Sequence, residues 1–333
     1  MQRRSLLQLS TLMGLGWLGE LGLNLGSQVA WAQSTYPSKP IKVIVPLAAG
    51  SAVDNAARIV MQKISQNIGL GIAIENQAGA AGLIGADKVA KSSPDGYVLG
   101  GFNDSIMTML PNLQSKMPWD IQKDFEAISL VATVEWGLVV GADSSIKSAQ
   151  DLIQAAKHSP GKINYGSGGN GSPQHIAMAL FAAQSGIKLT HVPYKGATQA
   201  AVGLAGKEVD VCFQGIATVN SLIKGGKLKL IGVSTSKRMG QFPEVATISE
   251  SGLPNFEFNS WYAMMAPAGT PKSVVQLFYK EIVKALSDES VKDQLIGQGL
   301  TPRGSSPEEL TQLLSLQLAK YEKLIRQAGI SAD

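Results

Sequence analysis

The chain has 333 residues, 44% hydrophobic and 16% charged, which suits a well-packed globular protein too large for one comfortable core, so two lobes are expected. Its 29 basic and 25 acidic residues leave a net charge of +4, too mild for a nucleic-acid binder, and no Lys/Arg cluster interleaves with aromatics. The single cysteine, Cys212, excludes an intrachain disulfide and reads as a buried structural thiol within the apolar pattern Val209-Asp210-Val211-Cys212-Phe213.

At the start of the chain, Arg3-Arg4, a Leu/Gly-rich stretch and Ala30-Trp31-Ala32 supply the three parts of an export signal cleaved near Ala32. The paired arginines followed by Leu6-Leu7 permit the twin-arginine route as well as the general one. Glu20 interrupts the apolar stretch, which argues against a retained anchor, and no later window approaches the ~18 apolar residues of a spanning helix. Without Arg3, Arg4 and Glu20 the mature balance is 27 basic to 24 acidic.

Short β-type runs then alternate with helical patterns, which predicts an α/β fold of parallel sheets with helices on both faces. Residues 41–45 read as a first strand stopped by Pro46, and 52–66 carry helical spacing with Ala56, Ile59, Val60 and Ile64 on one side. Strands at 71–75 and 96–100 flank a helix at 83–91, and a Pro-rich loop at Pro111 and Pro118 leads to an extended run at 138–141. A second set follows: helices at 149–158, 174–185, 199–204 and 218–224 alternate with strands at 162–165, 189–192, 209–213 and 228–234. The run 256–266 reads as a strand returning to the first set, and 273–286, 291–297 and 307–327 read as helices. The chain thus crosses between lobes near Gly141 and near Ser260, giving lobe 1 as 33–140 plus 260–333 and lobe 2 as 141–259. Loops at the strand ends then face one another across a cleft, the default ligand site.

Two of those loops are built for an anion. Gly166-Ser167-Gly168-Gly169-Asn170-Gly171 matches G-x-G-x-x-G between a strand and a helix pattern, where backbone N–H groups and a helix end with roughly half a positive charge favour phosphate or carboxylate. The dinucleotide reading also needs an acid about 20 residues on, and none lies between Gly171 and Lys207. An NADP-type reading would have to recruit Lys188 or Lys195. The facing junction, Pro46-Leu47-Ala48-Ala49-Gly50-Ser51-Ala52-Val53-Asp54, uses small residues at every turn position and either cradles an anion or simply makes a tight turn. Asp54 reads as a first-turn charge favourable to the helix dipole.

That junction, together with Glu75-Asn76-Gln77-Ala78-Gly79-Ala80-Ala81-Gly82, Ser93-Pro94-Asp95-Gly96-Tyr97 and the segments 164–175, 191–196 and 263–271, resembles successive signatures of one family. The family is the extracytoplasmic solute receptors of tripartite tricarboxylate transporters, the TctC or Bug family, and the resemblance spans essentially the whole mature chain in order. It implies a periplasmic binding protein of type II-like fold, monomeric and without cofactor or metal. Such a receptor closes on a carboxylate and delivers it to integral-membrane transporter subunits. It further implies that Ala48, Ala49, Gly50 and Ser51 form the first contact, and Gly166, Ser167, Asn170, Gly171 and Ser172 the second. Asn103 and Ser105 would add donors from lobe 1, with Tyr194 and Gln214 completing the site; His175 either orients the glycine loop or touches the ligand.

The chain departs from the family pattern P-F-P-P-G-G-P-T-D at several positions. Ser51 either donates a hydroxyl or crowds the guest, Val53 lacks a threonine hydroxyl, and Gln214 stands where an aspartate is common, removing repulsion toward an anionic end. With Leu47, Met107 and Met109, these changes predict a less polar pocket, for a dicarboxylate with an apolar and even aromatic body such as a phthalate isomer. Against catalysis, no H-E-x-x-H, C-x-x-C or G-x-S-x-G occurs. A secreted serine hydrolase, using Ser167 or Ser172 with His175, and an exported NADP oxidoreductase are the competing readings.

Overall fold

The computed structural model describes residues 36–328; the export signal expected over 1–32 lies outside them. In chain order the elements are β1 (Ile41–Val45), α1 (Ala52–Ile68), β2 (Ile72–Asn76), α2 (Leu83–Ala90), β3 (Val98–Asn103), a π-type turn (Ser105–Met109) running into α3 (Leu110–Leu113), and β4 (Phe125–Val134). Then come β5 (Trp136–Gly141), α4 (Ala149–His158), β6 (Asn164–Ser167), α5 (Pro173–Ser185), β7 (Thr190–Pro193), α6 (Ala197–Ala205), β8 (Val211–Gly215), α7 (Ile216–Lys224) and β9 (Leu228–Val233). The chain closes with β10 (Ser260–Pro267), α8 (Lys272–Ser287), α9 (Glu289–Ile296), β11 (Leu300–Pro302) and α10 (Pro307–Ala328).

Two sheets carry these elements, one ordered β11-β4-β10-β3-β1-β2 and the other β7-β6-β8-β5-β9. They are mixed rather than parallel. β1 pairs in parallel with β2 and β3, but β10 runs antiparallel to β3 and β4, and β11 antiparallel to β4. In the second sheet β6 is parallel to β7 and β8, whereas β5 is antiparallel to β8 and β9. Strands linked by a helix over one face return parallel. β5 and β10 instead enter from the other sheet and need no such crossover.

The first change of sheet falls at Glu135, between β4 and β5, earlier than the crossing expected near Gly141, because that glycine ends a strand of the second sheet. The return falls at Ser260, the first residue of β10. The two crossing segments lie side by side: Ser234 N–H donates to Trp136 O at 2.9 Å, and Phe258 N–H donates to Ser234 O at 3.2 Å. Paired crossings of this kind let two lobes turn about a common line.

Several segments read differently in the structure. Pro111, expected in a loop, sits in the first turn of α3, where a missing N–H costs nothing, and the short β11 pairs with β4 where no element was expected. The sequence pattern gives no element between Pro118 and Leu138, yet β4 spans 10 residues there; it is buried on both faces, so it shows no alternation. The apolar run 256–266 divides, with Phe256 and Phe258 preceding β10. Phe258 packs edge-on to Trp136 at 5.4 Å and Phe256 edge-on to Phe181 at 5.7 Å, so these rings are apolar for the second lobe's core rather than for a strand.

Helices α1 and α5 are set by their ends. Ser51 caps α1 by accepting from Asp54 N–H at 3.3 Å, and Gly69 ends it in the left-handed region at φ 69. Ser172 caps α5, with Pro173 in its first turn. The spacing of Ala56, Val60 and Ile64 puts all three on the fully buried face of α1. Ile64→Ala should therefore lower stability by about 2–5 kcal/mol in urea unfolding, and a loss below about 1 kcal/mol would mean that this face is not core.

Candidate functional site

Three strand-to-helix turns deliver helix N-termini to one place. Ser51, Ala52 and Val53 begin α1, Ser172, Pro173 and Gln174 begin α5, and Gly196 and Ala197 begin α6; all line a single cavity of about 50 Å³ between the sheets. That is room for a few water-sized groups. Asn103, Thr218 and Ser260 add neutral polar side chains, and Leu47, Val134 and Trp136 add apolar walls. Lys195 is the one cationic side chain in the lining and is exposed; no acidic side chain lines it. A wider recess adjoins it, lined by residues 78–81, Gly168, Gly169, Asn170 and Tyr194.

In the first loop, Gly50 takes φ +75, a conformation costly for other residues, and its N–H donates to Asp54 Oδ2 at 2.8 Å. The buried Asp54 carboxylate also accepts from Arg58 Nε at 3.0 Å and Asn76 Nδ2 at 2.9 Å, so it braces the loop as a first-turn charge. Ala52 N–H reaches across the cleft to Thr218 Oγ1 at 3.0 Å, and Thr198 Oγ1 donates to Ala49 O at 2.9 Å. Ala48 and Ser51 thus line the cavity, whereas Ala49 and Gly50 are not part of its lining.

In the second loop the hydrogen bonds turn inward. Ser167 is fully buried; its Oγ accepts from Gly169 N–H at 3.1 Å and lies 2.6 Å from His191 Nε2. His191 stacks between Tyr165, at 4.7 Å, and His175, at 4.4 Å with planes 3° apart. Gly171 N–H donates to His175 Nδ1 at 3.1 Å, so that nitrogen is an unprotonated acceptor. Gly166 is a packing requirement, since a Cβ there would sit 2.9 Å from Cys212 Sγ. Cys212 is itself fully buried, and burial pushes its thiol up to about 12. Gly168 faces the cavity, and a Cβ on it would come 3.1 Å from Ala197 N, so its smallness keeps the start of α6 open.

Of the residues expected to touch ligand, the structure brings Ala48, Ser51, Asn103 and Ser172 to the cavity. Gly166, Ser167, Gly171 and His175 lie behind the loop and hold its shape; Asn170 and Tyr194 border the outer recess, with the Tyr194 hydroxyl 2.9 Å from Glu208 Oε2. Ser105 donates to Gly171 O at 2.8 Å and ties the lobes together. Gln214 is fully buried one layer back, accepting from Gln174 Nε2 at 3.4 Å and donating to Ala197 O at 3.1 Å. Leu47 and Val53 do face the cavity, but Met107 and Met109 are core residues elsewhere. Sequence reading missed Thr218, Gln174, Trp136, Ala197 and Ser260. Gly196-Ala197 at a strand-to-helix junction was the available signal for the third turn; nothing in the sequence marks Trp136, whose indole N–H is buried without a hydrogen-bond partner.

The competing readings find little here. The expected pairing of Ser167 or Ser172 with His175 does not form: Ser167 meets His191 instead, away from the cavity, and among the described residues no carboxylate bonds to either imidazole. The amides of Gly169 and Gly171 are spent on Ser167 and His175 within the loop, so they are not free to cradle a dinucleotide's phosphates.

A cavity of helix N-termini between two lobes is the arrangement of a solute-binding receptor. The model of the tripartite tricarboxylate transporter family receptor matches residues 56–330, and the chain belongs to that family. It is 35% identical over 314 residues to the UPF0065 protein in the tcbD-tcbE intergenic region of Pseudomonas sp. strain P51, across 94% of this chain and 93% of that one. Two solved structures resemble it closely. Rpa4515 of R. palustris with adipate has a TM-score of 0.86 at 29% identity, covering 89% of this chain and 99% of that one. MatC from Rhodopseudomonas palustris with bound malate has a TM-score of 0.82 at 26% identity, covering 87% and 100%. Receptors of this family are periplasmic and form a class of binding proteins rather than enzymes. No described helix is long and apolar enough to cross a membrane.

The stacked imidazoles set a pH dependence. Burial, with the neighbouring His175, pushes His191 down to about 4, and burial lowers His175 as well. Between about pH 4 and the ordinary histidine value of ~6.5, the unfolded chain binds more protons than the folded one, so the pair's contribution to stability is complete above that window and declines as acid is added. Buried Asp104, pushed up to about 7, acts in the opposite sense over much of the same range, so the comparison must be differential. The stability advantage of the wild type over His191→Gln should shrink steadily from pH 6.5 to 4.5 in urea melts, and a constant difference would remove the imidazole stack as its source.

Proposed function

We propose that this protein captures a small dicarboxylate with an apolar body by lobe closure and hands it to the membrane subunits of a tripartite tricarboxylate-type transporter. The observation that carries this reading is the convergence of three helix N-termini, drawn from both lobes, on one cavity with no acidic side chain in its lining. The α1 end with Ser51 and Thr218 suits one carboxylate, and the α5 and α6 ends with Ser172 and Gln174 suit the other. Val134, Trp136, Leu47 and Val53 then surround an apolar body rather than hydroxyls or an amine. Adipate on one relative and malate on another support a dicarboxylate guest, and adipate has the apolar body that this lining suits. Residues 1–32 serve as the export signal, cleaved near Ala32, and the mature receptor acts as a monomer.

Binding through neutral dipoles avoids the desolvation cost of a buried ion pair, and affinity is then set by how well the lobes close. The bonds from Ala52 to Thr218 and from Thr198 to Ala49 span the cleft and are the ones closure makes.

Calorimetric titration with adipate, terephthalate, phthalate, malate, citrate, glutamate and nicotinate tests the ligand class. Adipate or an aromatic dicarboxylate should bind most tightly, while binding of citrate or glutamate alone would overturn the assignment. Thr218→Val keeps the volume but removes the hydroxyl at the α1 end; it should weaken dicarboxylate binding about tenfold, the equivalent of one charge-assisted hydrogen bond, with little change in the unliganded melting temperature. An affinity equal to the wild type's would place the carboxylate elsewhere.

A further inference from the structure

Ser260 lines the cavity, and its hydroxyl is hydrogen-bonded to Oδ1 of Asp104 directly behind it. Asp104 is fully buried, and among the described residues its Oδ2 has no hydrogen-bond partner. Thr108, on the same turn, donates to the Asp104 backbone carbonyl at 2.8 Å and leaves the carboxyl alone. The charged and titratable groups facing it come from α10: Lys320, exposed and lying 5.7 Å over the Tyr321 ring, and Tyr321 itself, which is buried. β10 contributes only the Ser260 hydroxyl. Burial outweighs the Ser260 hydroxyl, the nearby Ser105 and Asp104 backbone N–H groups and the Lys320 charge, and pushes the Asp104 carboxyl up to about 7.

A serine hydroxyl has one hydrogen to give. If Asp104 is ionised, Ser260 must donate to it and turns its lone pairs toward the cavity, where they repel an anion. If Asp104 is a neutral acid, its own O–H can serve Ser260, and the serine hydrogen is released toward the cavity. We propose that Ser260 donates to the guest carboxylate and that Asp104, as a neutral acid, is the positioning residue that frees this donor, so that each carboxylate captured brings a proton from solvent onto Asp104. The inference rests on the carboxylate-receptor reading above. The balance is simple: the guest enters as the anion, one water-borne proton adds to the Asp104 carboxylate, and no other bond changes.

The test is calorimetric titration of the full mature chain with adipate and with terephthalate from pH 6.5 to 9, at each pH in two non-phosphate buffers of different heats of ionisation, such as HEPES and Tris near pH 8, which count protons. The range lies above the histidine window. Between a fraction of a proton and one proton should be taken up per guest, and affinity should fall by up to ~tenfold per pH unit above pH 7. Asp104→Asn, whose amide does not titrate and can donate to Ser260 at every pH, should flatten that profile and bind more tightly than the wild type at pH 9. Ser260→Ala should weaken binding at pH 7 and also flatten the profile. Infrared spectra of the wild type at pH 7 should show a protonated-carboxyl band that grows with adipate and is missing from Asp104→Asn. Binding without proton uptake, or an Asp104→Asn profile as steep as the wild type's, overturns the inference and leaves the receptor reading intact. Failure of both dicarboxylates to bind at every pH overturns the receptor reading and this one with it. If Asp104→Asn does not fold, the wild-type proton count and the Ser260→Ala slope decide the question.

Discussion

An anion leaves water only if something replaces its hydration, and a small cavity between two lobes offers few ways to do that. A buried arginine would cost its own desolvation and hold the guest in a pair that opens slowly. Here the replacement is mostly neutral: the starts of α1, α5 and α6 point at the same space with hydroxyl and amide side chains between them, and the exposed Lys195 is the one cation in the lining. Most of the surrounding chemistry follows from that requirement. The loops before these helices need small residues so that backbone can come close. The one carboxylate at the start of α1, Asp54, has to be held by Arg58, Asn76 and the Gly50 amide rather than left to face the guest.

The crossings between the sheets and the site are the same piece of chain. Val134 and Trp136, on either side of the first crossing at Glu135, are walls of the cavity, and Ser260, which opens the return strand, is another. Any turn of one lobe about the paired crossings therefore changes the cavity floor directly. The upper walls belong to different lobes and meet through Thr218, Thr198 and Ser105, three hydroxyls bonded to backbone groups on the opposite side. Side-chain hydroxyls suit such contacts, because each can be exchanged for water at modest cost when the lobes part.

Much of the scaffold was legible in the chain because local rules wrote it. Ser51 and Ser172 with Pro173 mark helix starts, Gly69 and Gly186 mark helix ends, and Ala56, Val60 and Ile64 show a buried face, so α1 and α5 could be placed nearly to the residue. The two anion-type loops were visible for the same reason. Strand β4 was not, because a strand buried on both faces loses the alternation that identifies one, and neither was the antiparallel pairing of β5 and β10, which depends on the route between sheets. The glycine loop teaches a related lesson. Ser167 and His175 had the right chemistry for a ligand, but the stack of Tyr165, His191 and His175 claims them, and that stack joins residues from β6, α5 and β7.

The sequence by itself determined the family, the α/β class, the helix boundaries and the preference of two loops for an anion, since each is encoded by residues close together in the chain. Only the tertiary structure decided which atoms face the cavity. Thr218 opposite Ala52, Gln174 held by Gln214, the unpartnered indole of Trp136, and Ser260 in front of Asp104 are meetings between residues far apart in sequence. The physical reason is that capping and periodicity act over one helical turn. The choice between a hydroxyl that braces a loop and one that faces a guest is made instead by whatever packs against it from the other lobe.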